Sequence, residues 1–173
     1  MIRKACLAFL VAAAATAPAS ADPATLLGAF QNWSAYTTGS GDQLTCYALS
    51  QPKAIEPKNV KRGPIYLMVS DWPGRKAKAE PQFVLGYPVK DNAPAALAVG
   101  STKFTFFARR NGKDDASAWL QSLNDNGRLI DAMQKGVSVV ASGVSTRGTK
   151  TSDTYSLAGF SAALDKIHDA CKM

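Results

Sequence analysis

The chain is poor in the side chains that most often carry chemistry. Its 173 residues include one histidine, His168, and its only glutamates are Glu56 and Glu80. His168 stands beside Asp169 in a helical stretch, with no G-x-S-x-G or other serine-nucleophile motif to accompany it. It reads as a surface or half-buried helix residue rather than a catalytic one. There is no G-x-G-x-x-G and no P-loop, so nucleotide binding has no support, and nothing points to a nucleic-acid partner or a cofactor. A metal site needs more ligands than two thiols and one imidazole supply. Long apolar runs are also missing. The longest, residues 5–15, covers about eleven positions, against the roughly twenty that cross a bilayer as a helix.

That short run has the surroundings of a cleaved export signal. Arg3 and Lys4 precede it, and Pro18-Ala19-Ser20-Ala21 places small residues at −1 and −3 of a cleavage site, so the mature chain begins at Asp22. Cys6 lies at the start of the run and not at the cleavage point, which argues against a lipoprotein. Residues 1–21 are therefore read as a Sec signal and residues 22–173 as one exported domain with no transmembrane segment. The expected location is periplasmic, outer-membrane-associated or secreted. A domain of this length buries about two thirds of its surface without help.

Of three cysteines, signal removal takes Cys6 and leaves Cys46 and Cys171, an even pair in an oxidising compartment. They are read as a structural disulfide, since a redox pair would more often be spaced C-x-x-C.

Eight segments have strand composition broken by turn residues: 30–37, 44–50, 64–70, 82–89, 96–100, 103–109, 137–145 and 154–159. Short strands at this spacing favour a mainly β sandwich or barrel over a parallel α/β sheet. Segment 64–70 is apolar on both faces and belongs in the middle of a sheet. In segment 44–50, Leu44, Cys46 and Ala48 share one face, so the thiol points inward. Segments 137–145 and 154–159 read as antiparallel neighbours across the polar connection Thr146-Arg147-Gly148-Thr149-Lys150. Two helical segments interrupt the strands. One runs over 116–135, broken near Asn124-Asp125-Asn126-Gly127 and stopped by Gly136. The other starts at Ser161 as N-cap and carries Leu164, Ile167 and Cys171 on one face.

Charge concentrates between residues 51 and 82. There Lys53, Lys58, Lys61, Arg62, Arg75, Lys76 and Lys78 oppose only Glu56, Asp71 and Glu80, in a stretch punctuated by five prolines. This is the candidate surface for an anionic partner, such as lipopolysaccharide phosphates or an acidic protein patch. Asp71 and Glu80 could instead form the carboxylate pair of an enzyme acting on an envelope polymer. A scaffold without a specific ligand is a third reading. Trp33, Trp72 and Trp119 are spread along the chain and read as core or semi-core packing rather than a sugar-stacking platform.

The order FQNWSAYT, CYALSQPK, RGPIYLMVSDWP, a G-Y-P strand, LIDAMQKG and SGVSTRGTKTSDTYSLAGFSAALDKIHDAC resembles the invasion-associated locus B family of alphaproteobacterial secreted proteins. Its most specific parts are CYALSQPK at 46–53 and TSDTYSLAGFSAAL at 151–164, ending in Cys171. The resemblance implies an immunoglobulin-like β-sandwich, a periplasmic or outer-membrane-associated location and a link to host-cell invasion in some pathogens; the partner expected here is an envelope or host protein, or an anionic envelope surface. It brings no catalytic residues. Many members carry a cysteine shortly after the tryptophan of the first strand. Here Trp33 is followed by Ser34-Ala35-Tyr36-Thr37, which leaves Cys46–Cys171 as the pairing available.

Overall fold

The computed structural model describes residues 22–110 and 116–173. The expected signal, 1–21, lies outside the described residues. The strands are β1 (Thr25–Phe30), β2 (Trp33–Thr38), β3 (Thr45–Ser50), β4 (Ala54–Glu56), β5 (Tyr66–Trp72), β6 (Ala77–Val84), β7 (Ala93–Val99), β8 (Thr102–Arg110), β9 (Ala116–Leu120), β10 (Ser138–Val144) and β11 (Lys150–Ser156). Two helices, α1 (Asn126–Lys135) and α2 (Phe160–Cys171), complete the fold.

All strand pairs are antiparallel. They form one continuous sheet in the order β1-β2-β3-β5-β6-β9-β8-β7-β10-β11-β4. The fold is mainly β, as expected, but the described strands number eleven rather than eight and hydrogen-bond as a single series. The ends of that series come together. Asn32 N–H donates to Ala158 O at 3.2 Å, and Trp33 Nε1 donates to Ser156 O at 2.9 Å, so β2 is tied to the exit of β11.

Alternation along each strand sorts the sheet into two faces. Trp33 and Ala35, Cys46 and Ala48, Leu67 and Val69, Phe83, Phe104 and Phe106, Leu97, Val139 and Tyr155 are all buried in one cluster. Both helices add to it. Leu129, Ile130 and Met133 come from α1, while Phe160, Ala163, Leu164, Ile167 and Cys171 come from α2. α2 packs on β1, β2, β3 and β5, and α1 contacts β6 and β7. The helices therefore line the inward face, and among the described residues no helix covers the opposite face of the sheet.

Four local readings change. The expected strand 30–37 is two strands, because a two-residue turn with Gln31 at φ +53° pairs Phe30 with Trp33. The proline-punctuated stretch after Ser50 contains β4, which pairs with β11. Residues 116–120, expected as the start of a helix, form β9. Ala116 and Ala118 are small enough for the crowded inward row, and pairing with β6 on one side and β8 on the other outweighs alanine's helix preference. Finally, α2 is entered through Gly159, not capped by Ser161. Gly159 has φ +90°, and a Cβ there would collide with Phe30 O, so glycine is required at the junction of α2 with β1.

Candidate functional site

The seven basic residues of the 51–82 stretch do not form one face. Lys53, Lys58 and Lys61 are exposed before β5, whereas Arg75, Lys76 and Lys78 are exposed after it. The seven residues of β5 stand between the two groups, a span of about 20 Å for an extended strand. Arg62 is not a surface residue at all. Its side chain is 3% exposed and grips Asp153 in a bidentate pair, with both N···O distances 2.6 Å. Nε and Nη2 also donate to Leu85 O at 3.1 and 2.7 Å, and the guanidinium lies 5.0 Å from the Tyr87 ring centroid. Arg62 is drawn inward because Asp153 occupies the buried row of β11, where an unpaired carboxylate would be costly. Nearby, Tyr87 OH meets Thr151 Oγ1 at 2.7 Å. Burial pushes the Tyr87 hydroxyl above its ordinary range, with Asp153 adding to the rise while the Thr151 contact and Arg62 oppose it. Burial, aided by Asp153, raises Tyr155 further.

Asp71 and Glu80 do not pair. Asp71 is fully buried on the inward face of β5. Glu80, on the outward face of β6, binds Arg75 at 3.1 Å. Asp71 instead meets His168 of α2, with Nδ1 2.6 Å from Oδ2, and the imidazole is 19% exposed. A β-bulge completes this arrangement. Register slips between Ser70 and Trp72, so Lys78 and Ala79 together face Asp71. Ala79, at φ +52°, turns its N–H to Asp71 Oδ1 at 2.8 Å. The neighbouring positions carry the disulfide. Cys46 is the β3 partner of Asp71, and Cys171 lies three residues beyond His168, one turn along α2. Cys46 and Cys171 are bonded with their Cα atoms 5.9 Å apart. Helix α2 is thus held to β3 by the disulfide and to β5 by a side-chain hydrogen bond, side by side.

On the outward face, register aligns Met68, Gln82, Trp119, Phe107 and Pro94 in a row across β5, β6, β9, β8 and β7. Trp119 and Phe107 stack with centroids 6.2 Å apart. Around them the surface sinks into a trough. One depression of about 420 Å³ is walled by Arg75, Lys76, Lys78, Leu123 and Asn126. It adjoins a second of about 400 Å³ bordered by Phe107, Arg109 and Gln121, and both share Glu80, Trp119, Leu120 and Leu123. A third, of about 330 Å³, continues past Phe107 and Arg109 to Pro94. Guanidinium groups flank the aromatic rings: Arg75 lies 4.2 Å from the Trp72 centroid and Arg109 5.0 Å from that of Phe107. Arg75 is paired with Glu80, but among the described residues Lys76, Lys78 and Arg109 have no acidic partner. Of the three tryptophans, Trp33 is core, whereas Trp72 and Trp119 are half-buried on this face.

Trp119 and Arg109 lie outside the charged stretch 51–82 in sequence. Only the pairing of β9 between β6 and β8 brings them beside Lys78. Among the described residues there is no helix long and apolar enough to cross a membrane, and no cluster of three or more His, Cys, Asp or Glu side chains able to hold a metal.

The chain matches no curated protein and no solved structure significantly. The model of the family described as invasion associated locus B protein matches residues 33–168. That match runs from Trp33, the anchor of β2, to His168, the partner of Asp71, and covers well over half of the sequence. The chain belongs to the invasion-associated locus B family.

Proposed function

We propose that the protein is an exported, non-enzymatic binding protein of the cell envelope that holds an anionic partner against the outward face of β6, β9 and β8. The observation that carries this reading is the set Lys76, Lys78 and Arg109: three exposed cations without acidic partners among the described residues, gathered by the sheet around one trough. Export is supported by the basic start, short apolar run and A-S-A end of residues 1–21, and by a disulfide of the sort that persists in oxidising compartments. The enzymatic alternative loses its carboxylate pair, since Asp71 and Glu80 lie on opposite faces. Contact with a host surface, to which the family's name points, falls within the same reading.

Retention on envelope fractions tests it. A charge-led contact weakens steeply as ionic strength rises to the physiological value, where the Debye length is about 8 Å. The variant Lys76→Glu/Lys78→Glu/Arg109→Glu should lose retention at low salt with its Tm nearly unchanged. The variant Lys53→Glu/Lys58→Glu/Lys61→Glu, at the other end of β5, should keep it. Equal retention by the wild type and the first variant overturns the reading.

A further inference from the structure

We propose that the trough centred on Trp119 is a saccharide site for an acidic glycan, a chain of pyranose rings bearing carboxylates; this rests on the reading above and names the partner.

Three features select that chemistry. First, the floor is aromatic. Trp119 and Phe107, on adjacent strands, are stacked with ring planes 29° apart, and the half-buried Trp119, which lines both larger depressions, presents an aromatic face to the trough. Such a face carries negative charge density and attracts the polarised C–H bonds that a pyranose ring presents on one side. Second, the walls carry planar hydrogen-bonding groups beside that floor. Gln82 stands next to Trp119 in the cross-strand row, and Glu80, Gln121 and Arg109 border it. Amide, carboxylate and guanidinium groups each offer two atoms at the spacing of neighbouring hydroxyls or of a carboxylate. Third, the charge has one sign. Lys76, Lys78 and Arg109 are available while Glu80 is already engaged by Arg75, so an anion gains where a neutral chain does not.

The shape points to a polymer lying across the strands. The depressions follow one another over β6, β9, β8 and β7, which at about 4.8 Å per strand spacing makes a path of about 15 Å. A hydrophobic protein interface fits poorly. Among the described residues the large exposed hydrophobics are Leu26, Leu123 and Val137. They sit on β1, beside the trough and before β10, so they form no contiguous apolar patch.

The test is calorimetric titration of the exported protein with oligogalacturonate. Maltohexaose serves as the neutral control, and inorganic polyphosphate and oligothymidylate as polyanions without pyranose rings. Oligogalacturonate should bind and maltohexaose should not. Trp119→Ala should weaken binding by about tenfold or more, as removal of a central aromatic anchor does. In case that variant is poorly folded, Lys78→Gln/Arg109→Gln, which changes exposed side chains alone, should weaken binding comparably at unchanged Tm. Lys58→Gln/Lys61→Gln should bind as the wild type does. The proposal is overturned by no binding of oligogalacturonate, by equal binding of maltohexaose, or by polyanion binding of equal strength that ignores Trp119→Ala. Retention on envelope fractions without oligogalacturonate binding removes the glycan assignment and leaves the envelope-binding reading. Loss of both removes both.

Discussion

His168 and Asp71, 97 residues apart in sequence, meet at 2.6 Å beside the disulfide that joins α2 to the neighbouring strand β3. An ionised carboxylate only accepts hydrogen bonds. With Asp71 charged, Nδ1 therefore bears the imidazole proton, and Oδ1 is taken by Ala79 N–H. Asp71→Ala leaves both donors unsatisfied and should cost about 1–3 kcal/mol. His168→Ala leaves the fully buried Asp71 with Ala79 N–H as its remaining partner and should cost at least as much. A double-mutant cycle by urea unfolding should give a coupling of about 0.5 kcal/mol or more. Strict additivity would show that the contact contributes nothing.

Removing the disulfide should be more costly. Its cysteines are 125 residues apart, and for a loop of that length the chain-entropy model gives about 5 kcal/mol as an upper figure. Cys46→Ser/Cys171→Ser should be destabilised by a few kcal/mol, and reduction of the wild type should lower its midpoint to match. Non-reducing mass spectrometry should find no free thiol in the mature protein. Two free thiols there, or a midpoint indifferent to reductant, would contradict this.

Arg62 and Asp153 offer a test of inside against outside. Arg62→Met strands a buried carboxylate and should cost about 3–5 kcal/mol, whereas Arg62→Met/Asp153→Leu should recover much of that loss. Neither change should alter retention on envelope fractions under conditions where the variants remain folded. A shift in retention would put Arg62 back among the contact residues.

Tyr155 is fully buried, and its hydroxyl has no hydrogen-bond partner among the described residues. Tyr155→Phe should therefore leave stability unchanged or raise it by about 1 kcal/mol. The same hydroxyl shapes the alkaline limb. Burial raises Tyr155 and Tyr87 in the folded state, so below the ordinary tyrosine value of about 10 neither affects the pH dependence of stability. Above it the unfolded chain loses protons that the folded chain keeps, and stability falls with rising pH. Tyr155→Phe should make that fall shallower in a series of unfolding curves from pH 9 to 12. An unchanged slope would contradict the assignment.

Much of the inward face is legible in the sequence because period-2 alternation is a local signal. Cys46 shares a face with Ala48, and Leu67 with Val69. The same alternation places Asp71 beside Val69 and Asp153 beside Tyr155, which marks two carboxylates as inward and in need of partners. It does not name those partners, since His168 and Arg62 arrive from distant segments. Helix and strand are hardest to separate in Ala116-Ser117-Ala118-Trp119-Leu120, where small residues suit either form and neighbouring strands decide. That ambiguity hid the trough, because reading 116–120 as helix separates Trp119 from Phe107 and from Lys78. The bulge at Lys78–Ala79 is equally non-local, arising from what Asp71 requires of the facing strand.

The order of strands also sets a timetable for assembly. Most neighbours in the sheet are close in sequence: β1 with β2, β2 with β3, β5 with β6, β7 with β8, β8 with β9, and β10 with β11. Such hairpins can form in about 1–10 μs. β3 joins β5 across the loop that carries β4, and three joins are of another kind, β6 with β9, β7 with β10, and β11 with β4, each of which closes a long loop before it gains any contact. Antiparallel folds dominated by joins of this kind complete folding in milliseconds to seconds. In the interval the open flanks of β6, β7 and β11 are free to pair with other chains. A newly made molecule is therefore most exposed to aggregation before those joins close, and a chaperone that shields strand edges would act in that window.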